Sequence, residues 1–183
     1  LTPDQEQKLE YSATELFEYV DEIKIIQDLF DALPVKRGIA SPYLNFRDAL
    51  FHYNKMYEAA NDNNNENFFQ QYACIEEHLN RGLKDFAIHL LSNYYIKIIH
   101  KMIKKLEKSN NRDSLQKIRH IYHNMKNLVI EIRLEGQTLR HFVDHKNTWL
   151  PTFVDDIAEF DKLLGKYPLL KRSYDSISKG MYL

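Results

Sequence analysis

Residues Ser41–Ala60 read SPYLNFRDALFHYNKMYEAA. Ser41-Pro42 is a helix start: a serine side chain caps free backbone N–H groups, and proline's fixed φ and missing N–H suit the first turn. Tyr43, Phe46, Leu50, Tyr53, Tyr57 and Ala60 then recur at spacings of three and four. That places them on one stripe and predicts a bundle-type seam on a helix over 42–61. Asn61-Asp62-Asn63-Asn64-Asn65 follows as a polar turn.

The same periodicity extends through the rest of the chain. Thr2-Pro3-Asp4 repeats the start signal, and Leu9, Ala13, Leu16, Val20, Ile23, Phe30 and Leu33 predict a helix over 3–33, closed by Pro34 and Gly38. From 66 to 108 there is no proline and one glycine, Gly82, so a third helix could be nearly continuous. Such a helix would approach ~60 Å, which predicts a kink or break at Gly82 or at Ser92-Asn93. Its apolar face is Phe68, Tyr72, Ile75, Leu79, Leu83, Phe86, Leu90 and Tyr94. Leu115, Ile118, Tyr122, Met125, Val129, Ile132, Gly136, Leu139 and Val143 predict a fourth helix over 114–145. After Lys146-Asn147-Thr148, Phe153, Ile157, Phe160 and Leu164 predict a fifth over 151–164, stopped at Gly165. The tail, 166–183, holds at most one short helix.

Five glycines and five prolines in 183 residues are too few for a turn-rich β fold, and 44% hydrophobic content suffices for a core. The expected architecture is a single all-α domain, an up-and-down bundle of about five helices. Cys74 is the one cysteine and cannot pair within the chain. No apolar run approaches the ~20 residues of a membrane span, so the expected location is the cytoplasm, away from membranes. Gly-rich phosphate loops, Cys-rich zinc sites and nucleophile elbows are missing, which excludes most common enzyme classes.

Charge is unevenly placed. Residues 1–33 carry nine acids against Lys8 and Lys24, whereas residues 97–126 carry nine bases against Glu107 and Asp113. The two segments suit mutual attraction within one chain or a homodimer. Alternatively, Lys101, Lys104, Lys105, Lys108, Arg112 and Lys117 form a surface for an anionic partner such as RNA.

Within the second helix lies Arg47-Asp48-Ala49-Leu50-Phe51-His52. Asp48 and His52 are four apart and share a face, where the carboxylate can orient the imidazole. A histidine gives and takes protons near neutrality, and an arginine grips phosphate through two parallel N–H bonds. The trio suits metal-free phosphodiester cleavage: His52 as acid or base, Arg47 as charge stabiliser, Asp48 as orienter. The stretch resembles the signature of the HEPN superfamily: Arg, then Asn, Asp or His, then three residues and His. The resemblance implies a small all-helical domain, often a metal-independent RNase of toxin or antiphage defence systems, commonly a dimer that joins two motifs, and in other members a binding module. Arg140-His141-Phe142-Val143-Asp144-His145 is a rival match.

His78, Arg81, Asp85 and His89 share the polar face of the third helix, where they line a second polar surface or approach His52. The His141–His145 and His120–His123 spacings each fit two imidazoles on one metal, but the Glu-x-x-His pattern of di-metal bundles is missing, and no metal or cofactor is expected. The expectation is therefore a HEPN-like RNase or RNA-binding module, a metal-independent endoribonuclease only if one motif is active. The alternative is a non-catalytic, homodimeric interaction protein whose partner surface lies on the third and fourth helices.

Overall fold

The computed structural model describes residues 1–31, 41–108, 112–134, 139–168, 171–172 and 174–175; the side chains at 29–31, 41, 93–94, 139–143, 145–147 and 149–150 lie outside that description. Among the described residues the chain is an all-α helical bundle without strands. The helices are α1 (Pro3–Asp31), α2 (Ser41–Asn61), α3 (Asn65–Leu90), α4 (Lys97–Leu106), α5 (Arg112–Leu134) and α6 (Leu139–Lys166); a π-helical segment, Leu91–Ile96, joins α3 to α4. The residues group into two compact units where the sequence suggested one domain. Leu1–Ala87 with Glu135–His145 form the first, and Ile88–Leu134 with Lys146–Leu183 the second.

Local chemistry sets the helix ends. Gln5 N–H donates to Thr2 Oγ1 at 3.3 Å and Thr2 N–H to Gln5 Oε1 at 2.9 Å, a capping box that opens α1. The polar turn after α2 closes around Asn63, whose φ of 54° is left-handed. There Asn64 N–H reaches Ala59 O at 2.9 Å and Asn63 N–H reaches Ala60 O at 3.2 Å, satisfying carbonyls that the helix end leaves free. One residue later Asn64 caps α3 through a 3.1 Å bond from Asn67 N–H to its Oδ1.

In the first unit α1 packs on α2. Tyr19 is buried, stacks on Phe46 with centroids 5.9 Å apart, and donates its hydroxyl to Pro42 O at 2.8 Å. Gly82 does not break α3. A Cβ there would collide with the Tyr19 hydroxyl and sit 2.9 Å from Asn45 Cβ, so the glycine permits close helix approach. The stripe expected on α3 is buried at Phe68, Ile75, Leu79, Leu83, Phe86 and Leu90. On α2 the structure differs: Ala49, Met56, Ala59 and Ala60 face inward, while Tyr43, Leu50 and Tyr57 stand in solvent. Spacing of three and four defines a stripe, but it does not say which side of that stripe a neighbour covers.

In the second unit α5 packs against α4 and the π segment. Ile98, Ile99, Met102, Ile103 and Leu106 fill the inner face of α4. Tyr95 meets Phe153 of α6 edge-on at 5.6 Å. The irregular turn falls at the Ser92-Asn93 alternative, as a π segment within a nearly unbroken run. The fourth helix is described as far as Leu134, residues 135–138 lie outside the described residues, and from Leu139 one helix runs through the boundary expected at 146–151. Lys146-Asn147-Thr148 is helical, and Pro151 sits inside α6. The proline removes one N–H bond, but burial of Phe153, Phe160, Leu163 and Leu164 outweighs that local preference. The expected loop at 34–40 and Gly136 lie outside the described residues. No helix among the described residues is long and apolar enough to cross a membrane.

Candidate functional site

Two polar stripes face each other between α2 and α3. On α2 they are Asn45, Asp48 and His52, at spacings of three and four; on α3 they are Asn67, Gln71 and His78. Residue numbers rise on one helix as they fall on the other, so the helices run antiparallel: His52 meets Gln71, and Asn45 meets His78.

His52 Nδ1 lies 2.7 Å from Gln71 Oε1, and Gln71 Nε2 donates to Asn67 Oδ1 at 2.9 Å. An amide oxygen only accepts, so Nδ1 of His52 carries the proton and Nε2 keeps its lone pair. His78 makes a longer 3.4 Å contact from Nδ1 to Asn45 Oδ1. The two imidazoles stack, with centroids 5.2 Å apart and planes 20° apart. Partial burial lowers the His78 pKa, His52 lowers it further, and Asp48 opposes the shift. A charge on His78 is therefore disfavoured beside the His52 ring.

Arg47 donates from Nε and Nη2 to Asp48 Oδ1, at 2.9 and 2.7 Å. These bonds hold the Asp48 carboxyl below the usual carboxylate range, with smaller help from His78 and His52. The role expected of Asp48 changes accordingly. Gln71 makes the hydrogen bond to the His52 ring, while Asp48, whose Oδ1 takes both Arg47 bonds, acts on the ring through its charge. With side chains 71% and 40% exposed, that ion pair is worth little, so an arriving phosphate can compete for the guanidinium.

Of the four residues on the polar face of α3, His78 joins His52. Arg81 pairs instead with Glu77. Asp85 acts on Tyr19, whose hydroxyl is pushed up mainly by burial and then by that charge. His89 belongs to the other unit. Arg140, His141 and His145 fall within α6, but their side chains lie outside the described residues. Lys101, Lys104, Lys105, Lys108, Arg112 and Lys117 are all exposed in the second unit. Lys117 also lies 3.8 Å from Glu159.

The sequence reading missed Asn45, Asn67 and Gln71. Their spacing was available as a signal: Asn67, Gln71 and His78 share one face of α3 at intervals of four and seven. A second cleft, of about 370 Å³, opens between α5 and α6 and is lined by Asn124, Asn127, Glu131, Thr148, Thr152 and Asp156. Burial raises the Asp156 pKa, opposed by the Asn124 side chain, which donates to it at 3.1 Å, and by His120. Set against known proteins, the chain matches no family model, no curated protein and no solved structure.

Proposed function

We propose that the chain is a HEPN-like, metal-independent ribonuclease, with its site at Arg47, His52 and His78. The observation that carries this reading is the stacked histidine pair, each Nδ1 facing an amide oxygen. That arrangement leaves Nε2 of the neutral ring as a base, while the partner ring, when protonated, is an acid. One imidazole takes the proton of an RNA 2′-hydroxyl, and the 2′-oxygen attacks phosphorus. The P–O5′ bond breaks, and the other imidazole gives a proton to the leaving 5′-oxygen, leaving a 2′,3′-cyclic phosphate. Arg47 moves from Asp48 to the phosphate oxygens and stabilises the charge that develops there. Gln71 keeps the His52 ring in place. In the second unit the exposed bases from Lys101 to Lys117 are a separate surface suited to RNA phosphates.

The test is cleavage of total RNA in chelator by the wild-type chain and by the His52→Ala, His78→Ala and His145→Ala variants. Wild-type cleavage that falls about 10²–10⁴-fold in both His52→Ala and His78→Ala supports the pair. Equal activity in all four proteins overturns it. Loss in His145→Ala alone moves the chemistry to the rival motif.

A further inference from the structure

Among the described residues the seam expected on α2 is only partly covered: Ala60 is buried and Phe46 and Tyr53 half-buried, while Tyr43, Leu50 and Tyr57 are exposed. Phe46, Leu50 and Tyr53 form one bank of an open groove, and Ala13, Leu16, Phe17, Val20 and Asp21 of α1 form the other. The groove encloses about 520 Å³ within the first unit. Phe17 is 75% exposed and Leu50 39%, and the apolar surface continues onto Tyr43 and Tyr57. Apolar residues at helix-packing intervals on both banks suit the groove to a further helix.

The charge around the groove says which partner. On the α1 side Asp21 lines the groove, and along the exposed surface of the same helix stand Glu10, Glu18 and Asp28 against Lys24. On the α2 side the exposed positions are Tyr43, Asn54 and Tyr57, with Arg47, ion-paired to Asp48, beside them and no acid among the α2 residues that line the groove. One bank is acidic and the other is not. A second copy of this chain would bring the same acidic rim to the same groove, and its own surface there offers few cations to match it. The two banks run side by side for two to three turns, which is the length over which a third helix lays three or four apolar anchors.

We infer that the α1–α2 groove docks an amphipathic helix of a partner protein. Its apolar stripe has three- and four-residue spacing, and its Lys and Arg side chains are concentrated on the flank that faces α1. The apolar anchors supply the affinity; the one-sided charge sets orientation and excludes acidic helices. This surface is separate from the His52–His78 pair and does not depend on the chemistry proposed for it.

Fluorescence anisotropy on the full chain tests the inference with two synthetic helical peptides. Both carry Leu at three- and four-residue spacing; one has Lys along a single flank and the other has Glu there. The Lys peptide is expected to bind at least about tenfold more tightly than the Glu peptide, and less so in high salt. Phe17→Ser with Leu50→Ser leaves every charge in place and is expected to weaken the Lys peptide about tenfold or more. Glu18→Lys with Asp21→Lys is expected to move the preference toward the Glu peptide. Both double variants change exposed residues, and circular dichroism confirms that they fold. Lys-peptide binding that survives the serine substitutions would be diffuse attraction to an acidic surface and would overturn the inference. So would the absence of any Lys-over-Glu preference, or a concentration-dependent dimer abolished by the serine substitutions without peptide binding.

Discussion

Helices α1 and α4 obey opposite rules. α4 buries Ile98, Ile99, Met102, Ile103 and Leu106 and turns Lys101, Lys104 and Lys105 to water, as an amphipathic helix should. α1 buries Gln5, Ser12, Glu15 and Glu22 among its aliphatic residues and leaves Phe17 and Val20 exposed. Natural sequences are locally consistent except where function or strain intervenes, so the comparison marks α1 as the helix under a second demand. Two such demands are visible: an open groove on one side, and on the other a carboxylate held away from solvent. Glu15 is 2% exposed, and its pKa is raised to about 7. Burial is the largest cause; the charge of Glu76 adds to it, and the Tyr11 hydroxyl opposes it.

The sharpest contrast comes from truncating one apolar residue on each helix. Ile99→Ala in α4 opens a cavity in a packed face and is expected to cost about 2–5 kcal/mol in urea unfolding. Phe17→Ser in α1 removes a larger side chain but is expected to change stability by no more than about 0.5 kcal/mol, because that ring already lies in water. A large loss from Phe17→Ser would mean that α1 follows the rule of α4 after all.

Gly82→Ala asks what fastens α1 in place of a full aliphatic stripe. The added methyl meets the Tyr19 hydroxyl, which is tied to Pro42 O, and Asn45 Cβ. Overpacking there is expected to destabilise by about 1–3 kcal/mol, against a helix-propensity gain of up to about 1 kcal/mol. Unfolding of Gly82→Ala beside Gly82→Ala/Tyr19→Phe measures it: relief in the double variant places the strain at the hydroxyl.

Glu15→Gln has a modest expected effect and a definite pH signature. The folded chain holds a proton on Glu15 between its ordinary 4.5 and about 7, where the unfolded chain has released it. The neutral form's contribution is therefore full below pH 4.5 and lost as pH rises through 7. Glutamine cannot ionise, so the variant is expected to be about 1–2 kcal/mol more stable than wild type at pH 8, once screening by water is allowed for. The gap should close by pH 4. A pH-independent difference between the two unfolding curves would remove the carboxylate from the account.

Periodicity and end signals carried most of the fold. Thr2 and Pro3 announced α1, the asparagine run announced the turn after α2, and the stripe on α3 is buried nearly as read. The α5–α6 boundary was harder because proline and polar residues at 146–151 argue locally for a turn, whereas distant packing decides for helix. The side of α2 that faces inward was hidden for a similar reason. Alanines at 49, 59 and 60 carry little hydrophobic signal, but they allow close packing that the tyrosines beside them do not. At the site, Asp48 and His52 share one face of α2, as their spacing requires, and an approach by His78 was one of two alternatives for the polar face of α3. The tether from Gln71 was not anticipated, since hydrogen bonds between helices depend on register as well as on spacing.

That register is set some distance from the histidines. The tight closure at Asn63 and the cap at Asn64 decide how many residues separate α2 from α3, and so which way each residue of α3 points. Each residue added to or taken from the turn swings α3 by about 100° about its axis. Such a change would carry Gln71 and His78 off the face that meets Asn45 and His52. The turn is thus a ruler for the candidate site: Asn63 and Asn64 hold its shape, and its length sets which residues meet.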